Sequence, residues 1–539
     1  TILILAGAVG LVLLIAVVNV ANLMLARATV REREMALRLS LGAGRGRLVR
    51  QLLAESLLLA VMGGVAGLAL AWGGIALIRA WNPGNFPLID SVRLDWTVLA
   101  FMLAVSLLTG ILFGLAPALQ SARADLNSTL KEGGRGAAGA GRARGGTRAA
   151  LVVAEVALSL MLLVGAGLLI RSFANLNRVS GGFDAPPRQL VHMLISPGNR
   201  KYNDQNAGLA FYDEVLRRAR GVPGVEMAAI TDALPPDRQG DADTFAIEGQ
   251  VLPPGEINPI ISDVSATPDL FRTLRIPLIE GRYFNHHDTA EAAPVAIVSE
   301  GFARRYFPNR ETLGKRIKQS GPGYGDRWMQ IVGVVGNVKY LGLAVDTDPA
   351  YYMPLAQSYS PRMFLVARTS GDAARLAGAL RREIQAIDSG VTLAWIGTME
   401  QALELSVAQP RFDTMLLALF AAIALLLAAV GIYGLIAYSV AQRTHEIGVR
   451  VALGAARPDV VRMVVRQGAS LAAVGIAIGL GGSLALTRLL KTMLFGVGAT
   501  DAATFLAAPL GLMLVVLLAT FLPALRATRI SPVVALRYE

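Results

Sequence analysis

The chain has 539 residues, 54% of them hydrophobic, with a mean hydropathy of +0.50 and a formal net charge of +12. That is too apolar for a wholly soluble protein, and the absence of cysteine excludes a disulfide framework and a thiolate metal site. The positive charge excludes a nucleic-acid reading, because residues 172–410 carry 24 basic and 26 acidic side chains and the excess falls in short stretches beside apolar runs.

Seven apolar runs are long enough to cross a bilayer: 1–26, 52–78, 96–120, 149–171, 412–440, 468–490 and 502–525. The stretch 27–50 holds seven Arg against two Glu, and 123–148 holds six basic residues against two acidic ones. The connections at 79–95 and 488–501 have no such excess. The positive-inside rule then puts 27–50, 121–148, 441–466 and 526–539 in the cytoplasm, and 79–95, 172–410 and 491–501 outside. Thr1 falls outside, and no basic leader with a cleavage site precedes the first run.

The expected fold class is a membrane α-helical bundle, seven transmembrane helices in two repeated sets, plus one α/β extracytoplasmic domain of two subdomains. Residues 1–120 form a three-helix domain, 121–148 a flexible Gly/Ala/Arg-rich linker, and 149–171 a single span. Residues 172–410 form the external domain and 411–539 a second three-helix domain. Within the external domain, 186–235 and 360–408 each read strand–helix–strand, and the strand-rich 240–355 reads as an insertion between them. Its Tyr and Phe read as core, and no pocket is legible in it.

One passage occurs twice. Arg31, Glu34, Arg38, Leu41-Gly42-Ala43, Val49-Arg50, Gly63 and Gly67 recur 412 residues later as Arg443, Glu446, Arg450, Leu453-Gly454-Ala455, Val461-Arg462, Gly475 and Gly479. The match resumes at an offset of 406, pairing Asp95 with Asp501 and Pro117 with Pro523. In each copy Glu and Arg stand four apart, a favourable helical pair, and a glycine then allows the chain to turn into the next span. This predicts a short amphipathic helix at the cytoplasmic surface in 27–50 and again in 441–466. Topology alone needs positive charge but not this order of residues. If the duplication was complete, a helix and an external domain precede Thr1.

Other candidates carry less. The chain lacks a GxxxxGK[ST] phosphate loop; Gly42–Arg47 and Gly314-Lys315-Arg316 are Gly-rich or basic without that pattern. His286-His287-Asp288 reads as a solvated loop, since adjacent residues in an extended loop point apart. Asn19, Asn22, Glu55, Glu155 and Asp413 are polar residues in the spans. Glu155 and Asp413 read as snorkelling near span ends, and Glu55 as a partner of Arg50.

The segment Arg443-Thr444-His445-Glu446-Ile447-Gly448-Val449-Arg450, with Leu453-Gly454-Ala455, resembles the MacB/FtsX-type ABC transporter permeases between their second and third helices. Ser265–Phe284, Arg304–Pro308, Gly314–Ile317 and Ile331–Gly336 resemble that family's periplasmic domain. The tandem arrangement is similar to the family's duplicated, acidobacterial-type form, here N-terminally truncated. The resemblance implies a permease subunit of the bacterial inner membrane that is not itself an enzyme. ATP is then bound on separate cytoplasmic ABC ATPase subunits, two per full-length chain, with no cofactor or metal in this chain. The implied contacts to the ATPase are Arg33, Glu34, Arg38 and Gly42, and His445, Glu446, Arg450 and Gly454. Motion of those segments would reach the periplasmic domain, by mechanotransmission, for efflux or export. The lipid bilayer is the other partner, and a periplasmic adaptor or outer-membrane protein fits the family. Lipoprotein release, and a signalling scaffold that activates a cell-wall hydrolase without transport, are alternatives.

Overall fold

The computed structural model describes residues 2–30, 38, 45–80, 95–123, 137–198, 200–250, 253, 256, 258–308, 311–320, 327–345, 349–453 and 456–528. They fall into two compact units, Thr1–Asn175 with Pro410–Glu539, and Leu176–Gln409.

The first unit is helical. Its long helices are α1 (Ile2–Val30), α2 (Arg45–Ala80), α3 (Trp96–Arg123) and α4 (Ala137–Leu176). After the second unit come α10 (Ala408–Gln442), α11 (Thr444–Ala452), α12 (Arg457–Leu490) and α13 (Ala502–Ala527). Among the described residues six of these are long and apolar enough to cross a membrane, and the apolar part of α3, Trp96–Ile111, is shorter. Asp95 and Asp501, equivalent in the repeat, cap α3 and α13 in the same way: Val98 N donates to Asp95 Oδ1 at 2.8 Å, and Thr504 N to Asp501 Oδ2 at 2.9 Å.

Within α4 the stretch after Arg148 has no one-sided apolar face, and it is more buried than any other candidate span, which puts it at the centre of the unit. Val152, Val156, Leu160, Val164 and Leu168 recur every four residues and pack against α10, α12 and α13. Leu162, Ala166 and Leu169 turn to Ala8 and Ile15 of α1 and Leu417, Ala421 and Ala424 of α10. Helix α12 reaches α4 through small residues. A Cβ built on Gly475 would stand 2.7 Å from Val156 Cβ, and one on Gly479 would stand 2.8 Å from the Ala157 carbonyl oxygen. Backbone thus lies on backbone, the contact that small residues permit between helices in lipid. At one end of α4, Ser172 Oγ accepts from Phe495 N at 2.8 Å, Asn175 Nδ2 donates to Gly496 O at 3.0 Å, and Arg171 pairs with Asp501. At the other end the Arg148 guanidinium lies 4.2 Å over the Tyr438 ring.

Glu155 does not snorkel. It is fully buried, because it lies on the α4 face that meets α1 and α10, and Asn19 of α1 donates to it. The same Asn19 amide donates to Leu427 O at 2.9 Å. Gly431 of α10 makes room for both side chains: its missing Cβ would lie 2.2 Å from Glu155 Oε2 and 2.9 Å from Asn19 Oδ1. Beside them is a cavity of about 30 Å³, lined among others by Asn22, Arg148, Gly434 and Tyr438. Asp413 is buried too, near the start of α10. Glu55 accepts from Gln51 Nε2 at 3.4 Å.

The second unit is α/β, and its described residues form eleven strands in one hydrogen-bonded array. Strands β1 (Leu190–Pro197), β2 (Val225–Thr231), β10 (Met363–Thr369) and β11 (Val391–Thr398) come from its outer segments and lie in the order β11-β1-β10-β2, all antiparallel. Helices α5 (Gln205–Gly221) and α8 (Ala373–Gln385) cover one face, where Phe211, Tyr212, Leu380 and Ile384 meet Val191, Met193 and Ile195. The inner segment supplies β3 (Asp241–Ile247), β4 (Ile261–Ala266), β5 (Leu278–Gly281), β6 (Val295–Ser299), β7 (Arg316–Ser320), β8 (Met329–Val335) and β9 (Ala350–Pro354). The path β4-β3-β7-β8-β6-β9 closes on itself through the parallel pair β4–β9. One residue pair, Thr231 with Ala266, joins this ring to the outer strands. The inner segment also holds α6 (Leu270–Leu274) and α7 (Glu300–Tyr306), and α9 (Met399–Ser406) follows β11. Helix α7 is capped by Ser299 Oγ, and its Phe302 packs 5.1 Å from Phe245 inside the ring. In the run Ile331–Gly336, Gly333 pairs with Gly281 of β5, and a Cβ there would stand 2.3 Å from Arg282 O.

The two repeats give a controlled comparison for the small-residue contact. A Cβ on Gly63, the counterpart of Gly475, meets no atom within 4 Å. Gly475→Leu is expected to destabilise the detergent-solubilised protein by about 3 kcal/mol, through forced separation of α12 from α4. Gly63→Leu is expected to change it by less than about 0.5 kcal/mol. Thermal melting of the two variants checks this; equal losses would show that the α4–α12 approach is not what holds the unit.

Candidate functional site

The short helix expected in 441–466 is present in the second repeat. Helix α10 ends at Gln442 and α11 begins at Thr444, with Arg443 between them still bonded to Ser439 O and Val440 O at 3.2 Å. The Thr444 hydroxyl donates to Ala441 O at 2.8 Å, which satisfies a carbonyl at the end of α10. Helix α11 is amphipathic. Ile447 is 1% exposed and clusters with Val460 of α12 and Ala527 of α13, with Val440 and Met463 packed at the edge. Burying that side chain contributes about 2 kcal/mol. On the other face Glu446 and Arg450 pair at 2.7 Å with about half of each side chain exposed. Such a pair contributes only about 0.3–0.5 kcal/mol. The apolar anchor therefore holds the helix, and the charged face stays at the surface.

Arg450 also reaches the next span: its Nη1 lies 3.0 Å from Met463 Sδ. In the first repeat Arg38 Nη1 donates to Gln51 Oε1 at 3.3 Å. Arg38 and Gln51 are the counterparts, 412 residues earlier, of Arg450 and Met463. The two repeats thus tie the same arginine to the same position on the following helix, although the partner is an amide in one and a thioether in the other. Sequence reading selected the arginines but missed Gln51 and Met463, and it quoted Ile447 without assigning it the role of anchor. The signal lay in the constant spacing, not in residue type. Arg33, Glu34, Gly42, Gly454 and the His445 side chain lie outside the described residues. So do Gly42–Gly44 of the Gly-rich stretch, whose Arg45 opens α2.

In the second unit His286-His287-Asp288 is a turn: Asp288 accepts from Arg282 twice at 2.8 Å and from Asn285 N at 2.9 Å. A different acidic group is electrostatically loaded. Asp263 of β4 pairs in register with Asp241 of β3, and its Oδ1 has no partner. Burial, and then the nearby Asp243 and Asp241, push its carboxyl up to about 7, against donation from Gln319.

The comparisons with known proteins identify the two parts of the chain. The model of the FtsX-like permease C-terminal region matches twice, at residues 6–126 and 418–532, and that of the MacB-like periplasmic core domain matches residues 147–383. The chain is a membrane-spanning ABC transporter permease in class, and it belongs to the MacB/FtsX-type family. It is 28% identical over 292 residues to the macrolide export ATP-binding/permease protein MacB of Marinobacter nauticus, covering 52% of this chain and 44% of the relative. It is 26% identical over 278 residues to the pyoverdine export ATP-binding/permease protein PvdT of Pseudomonas savastanoi, covering 49% and 40%. With the uncharacterized ABC transporter permease YknZ of Bacillus subtilis it shares 37% over 122 residues, covering 23% and 29%. The chain therefore spans less than half the length of these relatives. Among solved structures the periplasmic region of MacB from Actinobacillus actinomycetemcomitans aligns with 39% of this chain and 90% of that one, at 12% identity and a TM-score of 0.27.

The acidic strand pair predicts a pH signature. With its carboxyl raised from 3.8 to about 7, folded Asp263 holds a proton that the unfolded chain gives up, so stability falls as pH rises between those values. Asp263→Asn is expected to stabilise the second unit at pH 8 by about 2–4 kcal/mol and to change little at pH 4. Unfolding followed at both pH values decides this; a variant that is no more stable at pH 8 than at pH 4, relative to the parent, contradicts the burial of that charge.

Proposed function

We propose that the chain is the permease subunit of an ABC export system in the bacterial cytoplasmic membrane, with ATP bound and hydrolysed on a separate cytoplasmic ATPase. The observation that carries the reading is the Glu446–Arg450 face, exposed while Ile447 anchors its helix, together with the matching Arg38 and Arg450 contacts in the two repeats. Arg33, Glu34, Arg38 and Gly42 form one docking segment, and His445, Glu446, Arg450 and Gly454 the other. One full-length chain then receives two ATPase subunits.

Helix α11 is seated on both α12 and α13 and follows α10 after a single residue. A push from a closing ATPase is therefore shared among three helices. Helices α4 and α10 are also the segments through which the chain enters and leaves Leu176–Gln409, so their displacement is delivered to that domain on the far side of the membrane. Work of this kind moves the cargo by motion of the external domain. The export relatives support efflux as the outcome, and a periplasmic adaptor completes the route.

Exchanging the charges, Glu446→Arg with Arg450→Glu, keeps the helical pair and reverses the pattern shown to the partner. The exchange is expected to lower ATPase co-purification and permease-dependent hydrolysis at least about tenfold, as loss of a well-placed charge contact does. The same exchange at Glu34 and Arg38 is expected to remove the second ATPase. Full association after both exchanges would sink the docking assignment, and two permease chains in each complex would sink the one-chain arrangement.

A further inference from the structure

Away from the helical unit, the outer strands of the second unit hold a cavity of about 530 Å³. That lies within the range of small-molecule sites, roughly 300–1,000 Å³. Its floor is one face of three neighbouring strands. Leu194 of β1 pairs in register with Phe364 of β10 on one side and with Ala394 of β11 on the other. Trp395, next to Ala394, would point away in a regular strand. The β1–β11 register slips between His192 and Leu194, however, and Trp395 takes a left-handed backbone, φ 48°. The slip brings its ring over the floor, stacked on Phe364 at 5.9 Å and 16°, with 47% of the residue exposed. A bulge that re-aims a side chain, and a non-glycine residue held at positive φ, are costs that persist where the surroundings enforce them. A large aromatic left half in water shows no return for that cost in core packing.

The walls supply charge. The Arg238 guanidinium lies 3.8 Å over the Trp395 ring and that of Arg362 lies 5.6 Å from the ring centre. Neither has a carboxylate partner within salt-bridge distance among the described residues, and the buried Nε of Arg238 has no acceptor. Behind the floor, His192 is 5% exposed and its Nδ1 is also unpartnered; burial, and then Arg238, hold the ring well below the usual histidine range, at about 4. It therefore adds no positive charge beneath the floor. Three carboxyls complete the lining, from Asp232, Asp237 and Asp241. Burial holds the Asp232 carboxyl well above its ordinary range, so it adds little negative charge. Two cations then face two anions. That balance disfavours a polyanion such as a phosphate diester chain, and it leaves the two guanidinium groups beside Trp395 as the local attraction for one negative group. Two guanidinium groups beside one indole ring suit a carboxylate, which a guanidinium fork can bind through both oxygens.

We propose that this cavity binds an apolar carboxylate the size of a short peptide, its oxyanion held by Arg238 and Arg362 and its apolar portion laid on Trp395 and Leu194. The proposal concerns binding by the external unit and stands apart from how the permease is driven.

The test uses the full chain in lipid nanodiscs, labelled with 5-fluorotryptophan, with the Trp395 fluorine signal assigned by its loss in Trp395→Phe. The probe is N-acetyl-leucyl-phenylalanine, compared with the same peptide amidated at its C-terminus. The carboxylate is expected to shift the Trp395 signal saturably with a Kd below about 1 mM. The amide is expected to bind at least about tenfold more weakly, as is the acid to Arg362→Gln, whose side chain is exposed and removable without a core defect. An unchanged Trp328 signal shows that each variant is folded, and Arg238→Gln provides the second arm should Arg362→Gln perturb it. Equal affinity for acid and amide, wild-type affinity in both arginine variants, or no saturation by about 10 mM acid would each overturn the proposal.

Discussion

The close approach of α12 to α4 is the contact on which the rest of the helical unit depends. In lipid there is no hydrophobic gain from bringing two apolar helices together, so association rests on dispersion and on the few polar contacts available. Gly475 and Gly479 let the α12 backbone touch α4 at Val156 and Ala157. That leaves the other sides of α4 to meet α10, α13 and α1 at van der Waals distance. The same seating fixes where α12 begins, and hence where Val460 stands under Ile447 of α11. A contact deep in the bundle therefore sets the position of the charged face at its surface.

Much of this was legible in the sequence because the signals were long or repeated. Apolar runs of span length, Arg-rich connections and the passage written twice each rest on many residues, so no single side chain decides them. The apolar strand runs within β1, β2, β4, β6, β8, β10 and β11 were legible for the same reason. Strands β3 and β7 were not. Asp241–Ile247 and Arg316–Ser320 are polar segments that become strands by pairing with each other and with their ring neighbours. Strand β9 is five residues with two tyrosines, and helix α6 is a single turn.

The parts of the sites that were not legible depend on what comes together in space. Glu155 was expected at a span end; its burial follows from Asn19, 136 residues away. The Trp395 cavity needs a register slip between two strands nearly two hundred residues apart and a loop that brings Arg238 over the ring. Periodicity would place that tryptophan on the opposite face. Ile447 is the intermediate case: apolar and helix-spaced, it was visible as part of an amphipathic pattern, but its role as the anchor emerged only with Val460 and Ala527 beneath it.

Asn19 and Gly431 occupy the same position in the two repeats, 412 residues apart, and they lie against each other. Asn22 and Gly434 are related in the same way and line one cavity. In a symmetric homodimer, positions that meet on the two-fold axis must carry the same side chain, so the choice there is two asparagines or two glycines. Two asparagines would compete for the space that Gly431 leaves open, and two glycines would leave Glu155 without its donor. Joining the halves in one polypeptide lifts that requirement. The bulky partner and the vacant one evolve separately, and an interface that a single gene copy could only mirror becomes a lock with a key.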